Sequence, residues 1–431
     1  MMRQLYSLLM WLLQPALRRK LARRALQEPG YLEAVEERFG YYSASVGAGD
    51  PAPGRKTVWL HAVSLGETRA AASLVAELRK RLPGMRLLLT HGTATGRAEG
   101  ARLLRPGDSQ TWQPWDTPAA VARFLAHFRP CLGILMETEI WPNLVAGCAR
   151  SGVPLVLANA RLSEKSWRQT QRLAWAARPA YASLTAVWAQ TQDDARRLAS
   201  MGARVQGVFG NLKFDASPDA AQLASGRAWH ARLACRVIMF ASSREGEEEA
   251  LLRLLAAEPA ARAAHWLIVP RHPQRFDTVA AMVQAQGFAL SRRSVWQDGP
   301  PVCDASGCIW LGDSLGEMAL YYGLADVTLL GGSFEPLGGQ NLIEAAACGC
   351  PVLMGPHTFN FTEAAELAQA AGAALRVNDL AQALSRALAL VQDTPRLLAA
   401  RHAADVFSGA HRGATGRTVE AIAQLLESGA R

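Results

Sequence analysis

The chain has 431 residues, of which 50% are hydrophobic and 19% are charged. These values exclude an intrinsically disordered chain, and the length predicts two domains rather than one compact core. The formal net charge of +9 indicates an acidic partner such as an anionic lipid or a phosphorylated substrate; we expect no nucleic acid, because the arginines are scattered outside the N-terminus and no zinc-finger pattern is present.

The first predicted element is an apolar and then basic helix at the N-terminus. The apolar residues run from Leu5 to Leu13, and five basic residues follow: Arg18, Arg19, Lys20, Arg23 and Arg24. With Ala16 and Leu17 the apolar part is about 13 residues long, shorter than the roughly 20 that span a bilayer. The pattern favours a helix lying on anionic headgroups of a membrane; a short tilted span and a helix packed on the protein itself remain open. We assign residues 1–47 to this membrane-associated helical segment and the entry to the first domain.

The first predicted domain covers residues 48–212 and begins with a Gly/Pro-rich connector over residues 47–55. Short apolar runs then alternate with helical patterns, and the helices are predicted at Thr68–Leu82 and Gly96–Leu104. Strands are predicted at Thr57–Leu60, Arg86–Thr90, Cys131–Met136, Pro154–Ala158, Ser183–Ala189 and Val205–Phe209. This alternation predicts a parallel sheet covered by helices on both faces.

The second predicted domain covers residues 213–431, after a break near Gly210–Ser217. Its strands are predicted at Val237–Ala241, His265–Val269, Cys308–Leu311, Val327–Leu330 and Pro351–Met354. The last stretch, Pro395–Ser428, is predicted to be helical and to pack back toward the first domain. The predicted fold class is therefore α/β, with two Rossmann-like doubly wound domains facing a central cleft and ligands beyond the carboxyl ends of the strands.

The loop that follows the first predicted strand, His61–Glu67, carries an acid at the start of a helix. Glu67 is expected in the first helical turn, where the helix dipole keeps a carboxylate ionised. An ionised carboxylate can accept a proton from a substrate hydroxyl, so Glu67 is a candidate general base. N-terminal capping is an equally good interpretation. Ser64 and Gly66 of the same loop are possible donor or acceptor contacts.

Two more acids, Glu137 and Glu139, follow another predicted buried strand. They could orient a basic residue, hold an acceptor sugar or replace Glu67 as the base, and a pair of solvated or capping acids is the alternative. Three basic residues lie in nearby loops. Arg161 and Lys165 could bind acceptor phosphates or belong to a solvated loop, and Lys213, at the domain junction, could reach into the cleft.

A glycine-rich loop gives the most informative pattern of the second half. It follows the predicted strand Val327–Leu330 with Gly331-Gly332, and it ends at a predicted helix that contains Glu344. The residues next to that helix are Gly338, Gly339, Gln340 and Asn341. Glycines let a ligand approach the backbone, the helix start favours an anion, and Glu344 can accept hydrogen bonds from ribose hydroxyls. Glycines that serve only strand–helix packing are the alternative.

Two other loops of the second half carry candidate residues. Arg271 is a candidate for the nucleotide phosphate, which a guanidinium can bind through two hydrogen bonds. His272 lies at the same expected edge, although a lone histidine is more often structural. Ser243 and Glu247, after the strand Val237–Ala241, are possible contacts. No Asp-x-Asp pair stands where it would hold a metal-bound pyrophosphate, which predicts a reaction without a metal. No GxGxxG motif directly follows the first predicted strand, which argues against a dinucleotide-dependent dehydrogenase.

Taken together, these motifs resemble the bacterial 3-deoxy-D-manno-octulosonic acid (Kdo) transferases of lipid A and lipopolysaccharide biosynthesis, over nearly the whole chain. The segment Glu37–Gly40 belongs to the match. The longer motifs are HAVSLGE at 61–67, METEIWP at 136–142, NARLSEKS at 159–166, GNLKFD at 210–215, IVPRHP at 268–273 and GGSFEPLGGQNLIEA at 331–345. Two positions depart from the family: residues 91–96 replace a threonine-rich run, and Arg244 stands where a histidine is common.

The resemblance implies a GT-B fold, CMP-Kdo as donor and the tetraacylated disaccharide bisphosphate lipid IVA as acceptor. It implies an inverting transfer without a metal or cofactor, at the cytoplasmic face of the inner membrane and beside its anionic lipids. The family's proposed base falls on Glu67, and an acid tied to activity falls on Glu137. Donor contacts fall on Arg271, His272, the 338–341 loop and Glu344. A sugar-nucleotide epimerase on the same scaffold and a catalytically silent, membrane-associated nucleotide-binding module are the alternatives.

Overall fold

The computed structural model describes residues 2–43, 56–215, 218–301 and 308–428. The chain forms two compact units, one of Met1–Asp215 with Arg412–Arg431 and one of Ala216–His411. The connector predicted over residues 47–55 and the predicted start of the first domain at residue 48 lie outside the described residues.

The first unit is built on parallel strands joined by helices. Its strands are β1 Thr57–His61, β2 Arg86–His91, β3 Ser109–Trp112, β4 Leu132–Met136, β5 Leu155–Ala160, β6 Ala186–Ala189 and β7 Val205–Val208. Its helices are α1 Met2–Leu12, α2 Gln14–Ala25, α3 Leu65–Arg81, α4 Ala94–Ala101, α5 Pro118–Phe128, α6 Pro142–Arg150, α7 Glu164–Arg172, α8 Ala174–Ala182, α9 Gln192–Ser200 and, from the end of the chain, α18 Ala414–Ser428.

The strand order in this sheet is β3-β2-β1-β4-β5-β6-β7, and all registered pairs are parallel. Successive residues of one strand point to opposite faces of the sheet and belong to different core clusters, as Ile134 and Leu135 of β4 do. The sheet is therefore buried on both faces, as its continuous apolar runs predicted. The strand order reverses direction between β1 and β4, which are direct neighbours. Such a reversal is where doubly wound sheets place their ligands.

The second unit repeats this plan. Its strands are β8 Arg236–Ser243, β9 Ala264–Pro270, β10 Ala289–Arg292, β11 Cys308–Leu311, β12 Val327–Leu330, β13 Val352–Met354 and β14 Ala374–Arg376. Its helices are α10 Ala220–His230, α11 Glu247–Ala257, α12 Phe276–Ala285, α13 Met318–Leu324, α14 Leu342–Ala347, α15 Thr362–Ala370, α16 Leu380–Gln392 and α17 Thr394–His411. The parallel order β10-β11-β9-β8-β12-β13-β14 reverses between β8 and β12.

Three strands that the sequence did not predict are β3, β10 and β14. Each lies at an edge of its sheet. An edge strand pairs on one side only and needs no continuous apolar run, and β10 for example reads Ala-Leu-Ser-Arg with no buried residue. The central strands, which are mostly apolar and buried, were all predicted.

The N-terminal helices pack on the first unit. The Ser7 hydroxyl donates to Asn143 Oδ1 at 2.9 Å, and the Trp115 indole N–H donates to the Met10 carbonyl at 2.8 Å. Other apolar residues of α1 remain exposed, with 53% of Leu8 and 59% of Leu12 accessible. Among the described residues, no helix is both long enough and apolar enough to cross a membrane.

The last helix, α18, also belongs to the first unit, where it packs against α3. Val419 and Ile422 of α18 are buried in the same core cluster as Leu74 of α3. The carboxylate of Asp215 anchors the start of α18 by accepting the backbone N–H groups of Gly413 and Thr415.

Candidate active site

Glu67 lies where β1 passes into α3. The Ser64 hydroxyl caps α3 by accepting the Glu67 backbone N–H at 3.3 Å and donates to Glu67 Oε1 at 3.0 Å. Glu67 Oε2 in turn accepts the Val63 N–H at 2.9 Å. This arrangement is a variant of the capping box in which the acid accepts the N–H of the residue before the cap, so Glu67 does cap the helix. Helix α3 begins three residues earlier than the predicted Thr68 because these bonds fix its first turn.

Near neutral pH Glu67 is only partly ionised, which differs from the expectation of a carboxylate that stays ionised. Burial raises the pKa of the Glu67 carboxyl to about 7, and the negative charges of Glu137 and Glu139 raise it further, whereas the hydrogen bonds from Val63 and Ser64 lower it. The helix start and the capping bonds therefore do not compensate for the loss of solvent. A carboxyl with this pKa can both accept and release a proton near pH 7, which is the property of a general base.

Glu137 follows β4, the strand next to β1, and this explains why it lies near Glu67. Its backbone has a φ of +58°, a left-handed conformation that non-glycine residues rarely adopt and that concentrates at functional sites. Glu137 Oε1 lies 3.5 Å from Lys213 Nζ. Of the roles that the sequence left open, the orientation of a basic residue is therefore present in the structure.

Glu139 is the third acid of this cluster. The Trp141 indole N–H donates to Glu139 Oε2 at 2.8 Å, and burial raises the pKa of the Glu139 carboxyl. Like charges raise the pKa of a neighbouring acid, and the charge of Glu137 acts in this way on both Glu67 and Glu139.

The other predicted residues of the first unit lie nearer to the solvent. Arg161 and Lys165 are exposed, and within the described residues neither side chain forms an ion pair. The Arg161 backbone N–H donates to the Glu137 carbonyl at 3.2 Å, which places the two loops side by side. Gly66 is exposed in the first turn of α3. These three residues are accessible to a large substrate, as their predicted roles require.

The glycine-rich loop of the second unit folds back on itself after β12. The Gly339 N–H donates to the Gly332 carbonyl at 2.7 Å, and the Gln340 N–H donates to the Gly331 carbonyl at 3.1 Å. Gly338 has a φ of +91°, and a Cβ at this position would overlap the Asn360 side chain. A side chain at residue 338 is therefore excluded both by backbone strain and by lack of space.

Glu247 supports this loop from beneath. It is 1% exposed, and its carboxylate accepts the backbone N–H groups of Gly332 at 2.8 Å, Phe334 at 3.2 Å and Arg244 at 2.9 Å. Ser243 is fully buried and donates to Glu248 Oε1 at 3.0 Å. Both residues were predicted as possible substrate contacts; their burial and saturated hydrogen bonds favour a role in positioning the loop.

Arg271 and His272 lie beyond β9, next to the glycine-rich loop. Arg271 Nε donates to Gln340 Oε1 at 3.1 Å, so the guanidinium is tied to the loop. In the part of the chain that the structure describes, its terminal nitrogens form no ion pair and could bind an anion. Partial burial lowers the pKa of His272, and the nearby Arg244 and Arg271 lower it further. A neutral imidazole among arginines can donate to a phosphate without adding to their mutual repulsion.

Asn341 and Glu344 form the start of α14. Asn341 Oδ1 accepts the Ile343 N–H at 3.1 Å, and Asn341 Nδ2 donates to Glu344 Oε1 at 2.9 Å. Because α14 has only six residues, its dipole contributes less to anion binding than the sequence suggested. Glu344 is instead fixed in orientation by its neighbour.

Glu344 also lines a pocket of about 340 Å³ that sequence reasoning missed. Gly316, Met318, Ala319 and Tyr322 lie on its other side. The available signal was the segment Gly312–Met318, a glycine-containing loop directly after the predicted strand Cys308–Leu311. In a parallel sheet such a loop reaches the same edge as the glycine-rich loop.

The structure thus gathers the predicted residues into one group in each unit. Glu67, Glu137 and Lys213 share the carboxyl edge of the first sheet, while Arg271, Gln340 and Glu344 share that of the second. The first group can accept and release a proton, and the second can bind an anion next to the pocket of about 340 Å³.

Comparison with solved structures identifies the fold. A glycosyltransferase from Rickettsia africae ESF-5 is 12% identical with a TM-score of 0.52, and 86% of this chain and 99% of that chain are covered. A UDP-GlcNAc 2-epimerase from Neisseria meningitidis bound to UDP-GlcNAc is 15% identical with a TM-score of 0.51, over 87% of this chain and 100% of that chain. Both likenesses show the two-domain GT-B fold, which transferases and epimerases share.

Comparison of sequences separates these classes. The family profile described as 3-deoxy-D-manno-octulosonic-acid transferase (kdotransferase) matches residues 33–216. A 3-deoxy-D-manno-octulosonic acid transferase from Bordetella pertussis is 48% identical over 98% of this chain and 99% of the relative. One from Haemophilus influenzae is 31% identical over 90% of each. The chain therefore belongs to the 3-deoxy-D-manno-octulosonic acid transferase family.

Proposed function

We propose that this protein transfers Kdo from CMP-Kdo to lipid IVA, with inversion and without a metal, in lipopolysaccharide biosynthesis. Family membership supports the transfer of Kdo. The observation that carries the mechanism is Glu67, an acid with a pKa of about 7 held at the strand reversal of the first sheet beside Glu137. An inverting transfer needs one base on the acceptor side, and Glu67 has the required pKa.

In the proposed step, Glu67 takes the proton of an acceptor hydroxyl while the oxygen attacks the anomeric carbon of Kdo. The new bond between this oxygen and the anomeric carbon forms as the bond from that carbon to the CMP phosphate oxygen breaks. The electron pair of the broken bond leaves with CMP. Attack from the face opposite the leaving group inverts the anomeric centre. Lys213 lies at ion-pair distance from Glu137 and orients it, and the negative charge of Glu137 raises the pKa of Glu67.

Arginines of the second unit are suited to the leaving group. CMP carries a single phosphate, and the guanidinium of Arg271 together with His272 can bind it as negative charge develops. Glu344 can accept hydrogen bonds from the ribose hydroxyls, and the pocket beside Glu344 has room for a nucleoside. The phosphate-binding residues thereby supply the positive charge that a metal ion would otherwise supply.

We also propose that the protein lies on the cytoplasmic face of the inner membrane. Exposed leucines of α1 provide an apolar surface, and the exposed Arg19 and Arg23 of α2 provide positive charge next to it. Such a pair of features binds anionic bilayers through apolar burial and electrostatic attraction together. The location would bring the enzyme to a lipid acceptor.

The release of CMP from CMP-Kdo tests the proposed function against an epimerase on the same fold. We expect CMP release to require lipid IVA, and Glu67→Gln to abolish it while the affinity for CMP stays within about twofold. Release at the same rate without acceptor, or retained turnover in Glu67→Gln, would contradict the proposal. Glu77→Gln, a half-buried acid on the same helix that pairs with Lys80 at the surface, is the matched control and should keep full activity.

A further inference from the structure

A second pocket, of about 240 Å³, lies within the first unit between α2 and the loops at the carboxyl ends of its strands. Lys20 and Arg24 line it from α2, His61 and Val63 from the end of β1, and Gln113 from the end of β3. The sequence assigned no role to most of these residues. The pocket is separate from the nucleoside-sized pocket beside Glu344, which lies in the other unit.

The walls of this pocket carry an excess of positive charge. Lys20 and Arg24 are four residues apart on α2 and therefore share one face of the helix. The third cation, Arg38, is 7% exposed. Glu139 is the one acid among the described lining residues, and burial raises the pKa of its carboxyl, which reduces its negative charge.

Arg38 is an unusual buried cation. Its guanidinium stacks on the Trp112 ring at 3.8 Å, and Nη2 donates to the Gly92 carbonyl at 3.3 Å. Its Nε is buried with no hydrogen-bond partner, and no carboxylate of the described residues pairs with it. Burial lowers the pKa of Arg38 to about 10. A buried guanidinium without a counter-ion is costly, and a bound anion would remove that cost.

Neutral polar groups in the pocket also lack partners. Among the described residues, neither the oxygen nor the nitrogen of the buried Gln113 side-chain amide has a hydrogen-bond partner, and the same holds for Nε2 of His61. Burial lowers the pKa of His61 to about 3, so this ring is neutral. Buried polar groups are normally satisfied, and hydroxyl groups of a sugar would satisfy these. Trp115 and Trp141 add aromatic surfaces on which a sugar ring can pack.

The pocket adjoins the candidate base. Val63 lines the pocket, and its backbone N–H donates to Glu67 Oε2 at 2.9 Å. Glu139 lines it as well, and its charge acts on the pKa of Glu67. A ligand in contact with Val63 would therefore lie next to the Glu67 carboxyl, which takes the proton.

We propose that this pocket binds a sugar phosphate monoester, namely one phosphorylated sugar unit of the acceptor, through Lys20, Arg24 and Arg38. The proposal rests on the function proposed above and specifies which part of the acceptor the protein recognises. The volume suits one sugar phosphate rather than an acyl chain, and the charge selects for the phosphate. Phosphate recognition beside Glu67 would hold the acceptor hydroxyl in reach of the base.

The test is a titration of the full-length protein in detergent with glucosamine 1-phosphate, glucosamine and glycerol 3-phosphate. We expect glucosamine 1-phosphate to bind at least about tenfold more tightly than glucosamine, because charge-assisted hydrogen bonds depend on the phosphate. Binding of glycerol 3-phosphate with the same affinity would overturn the proposal, since it would identify the ligand as a phospholipid headgroup. Equal binding of glucosamine with and without the phosphate would also overturn it.

Two double variants of α2 separate the pocket from general electrostatics. Lys20→Gln with Arg24→Gln removes two cations from the pocket, and Arg19→Gln with Arg23→Gln removes two exposed cations of the same helix that do not line it. The first pair should weaken glucosamine 1-phosphate binding about tenfold, and the second by less than about twofold. An equal loss of glucosamine 1-phosphate affinity in the two double variants would contradict the proposed binding site.

This titration is independent of the proposed function, because it uses neither donor nor turnover. If the sugar phosphate binds and lipid IVA receives no Kdo, the proposed transfer is refuted and the proposed binding site is retained. If transfer occurs and the sugar phosphate does not bind, only the pocket proposal falls.

Discussion

Glu67 combines two roles that the sequence presented as alternatives. Its carboxylate completes the capping box of α3, and burial beside two acids raises its pKa to about 7. The position in the first turn could be predicted from the His61–Glu67 loop alone. The raised pKa could not, because it depends first on the burial of the carboxyl in the folded unit. It depends next on Glu137 and Glu139, which are distant in the sequence and come close only where β4 pairs with β1.

The pH dependence of the reaction should report this pKa. Glu67 must be ionised to accept a proton, so kcat/KM should be small well below pH 7 and rise as the pH passes through about 7. Removal of a neighbouring charge by Glu137→Gln should move this inflection to lower pH, because like charges raise the pKa of an acid. The measurement is kcat/KM between pH 5 and 9 for both forms. An inflection near pH 4.5 in the parent protein would contradict the assignment.

At the scale of elements, both groups of candidate residues follow the strand pair at which the sheet order reverses. Glu67 and Glu137 follow β1 and β4, and Glu247 and the glycine-rich loop follow β8 and β12. The central strands were predictable because they carry buried, mostly apolar runs. The edge strands β3, β10 and β14 were not, because pairing on one side leaves no such pattern. The pocket beside Glu344 was missed because its residues come from α10, α13 and α14 together.

The support of the glycine-rich loop by Glu247 gives a prediction for α11. Glu247→Gln places an amide N–H toward backbone N–H groups that now donate to a carboxylate, so the loop should lose its fixed conformation. We expect the Kd for CMP to rise about tenfold while kcat changes less than KM. Glu249→Gln, an exposed acid on the same helix, should leave the Kd unchanged. Equal CMP binding in both variants, measured by calorimetry, would show that Glu247 does not position the loop.

The exposed face of α1 gives a prediction for membrane binding. Leu8→Asp with Leu12→Asp should weaken binding to vesicles of anionic phospholipid at least about a hundredfold, because two leucines lose their apolar burial and two negative charges are added. Leu398→Asp with Val406→Asp on α17 is the matched control, since these residues are similarly exposed. Co-sedimentation with vesicles measures the effect. Equal loss in both pairs would argue against α1 as the membrane surface.

At the scale of the whole molecule, composition and pattern sufficed for the fold class. Two series of apolar strands separated by helices predicted two parallel doubly wound sheets, and both are present with seven strands each in the described residues. A large share of the net charge of +9 lies on α2, which carries basic residues and no acid. The reaction type could not be inferred from the fold, because GT-B proteins include epimerases. The family was inferred from sequence motifs, several of which lie at the two strand reversals.

The most direct test of the account is the product formed by the purified protein from CMP-Kdo and lipid IVA in detergent with EDTA present. Mass spectrometry should show lipid IVA heavier by one or more Kdo units, with the yield unchanged by EDTA. Lipid IVA of unaltered mass, from protein that still binds CMP, would contradict the proposed transfer, and a product that forms only without EDTA would contradict the metal-free mechanism.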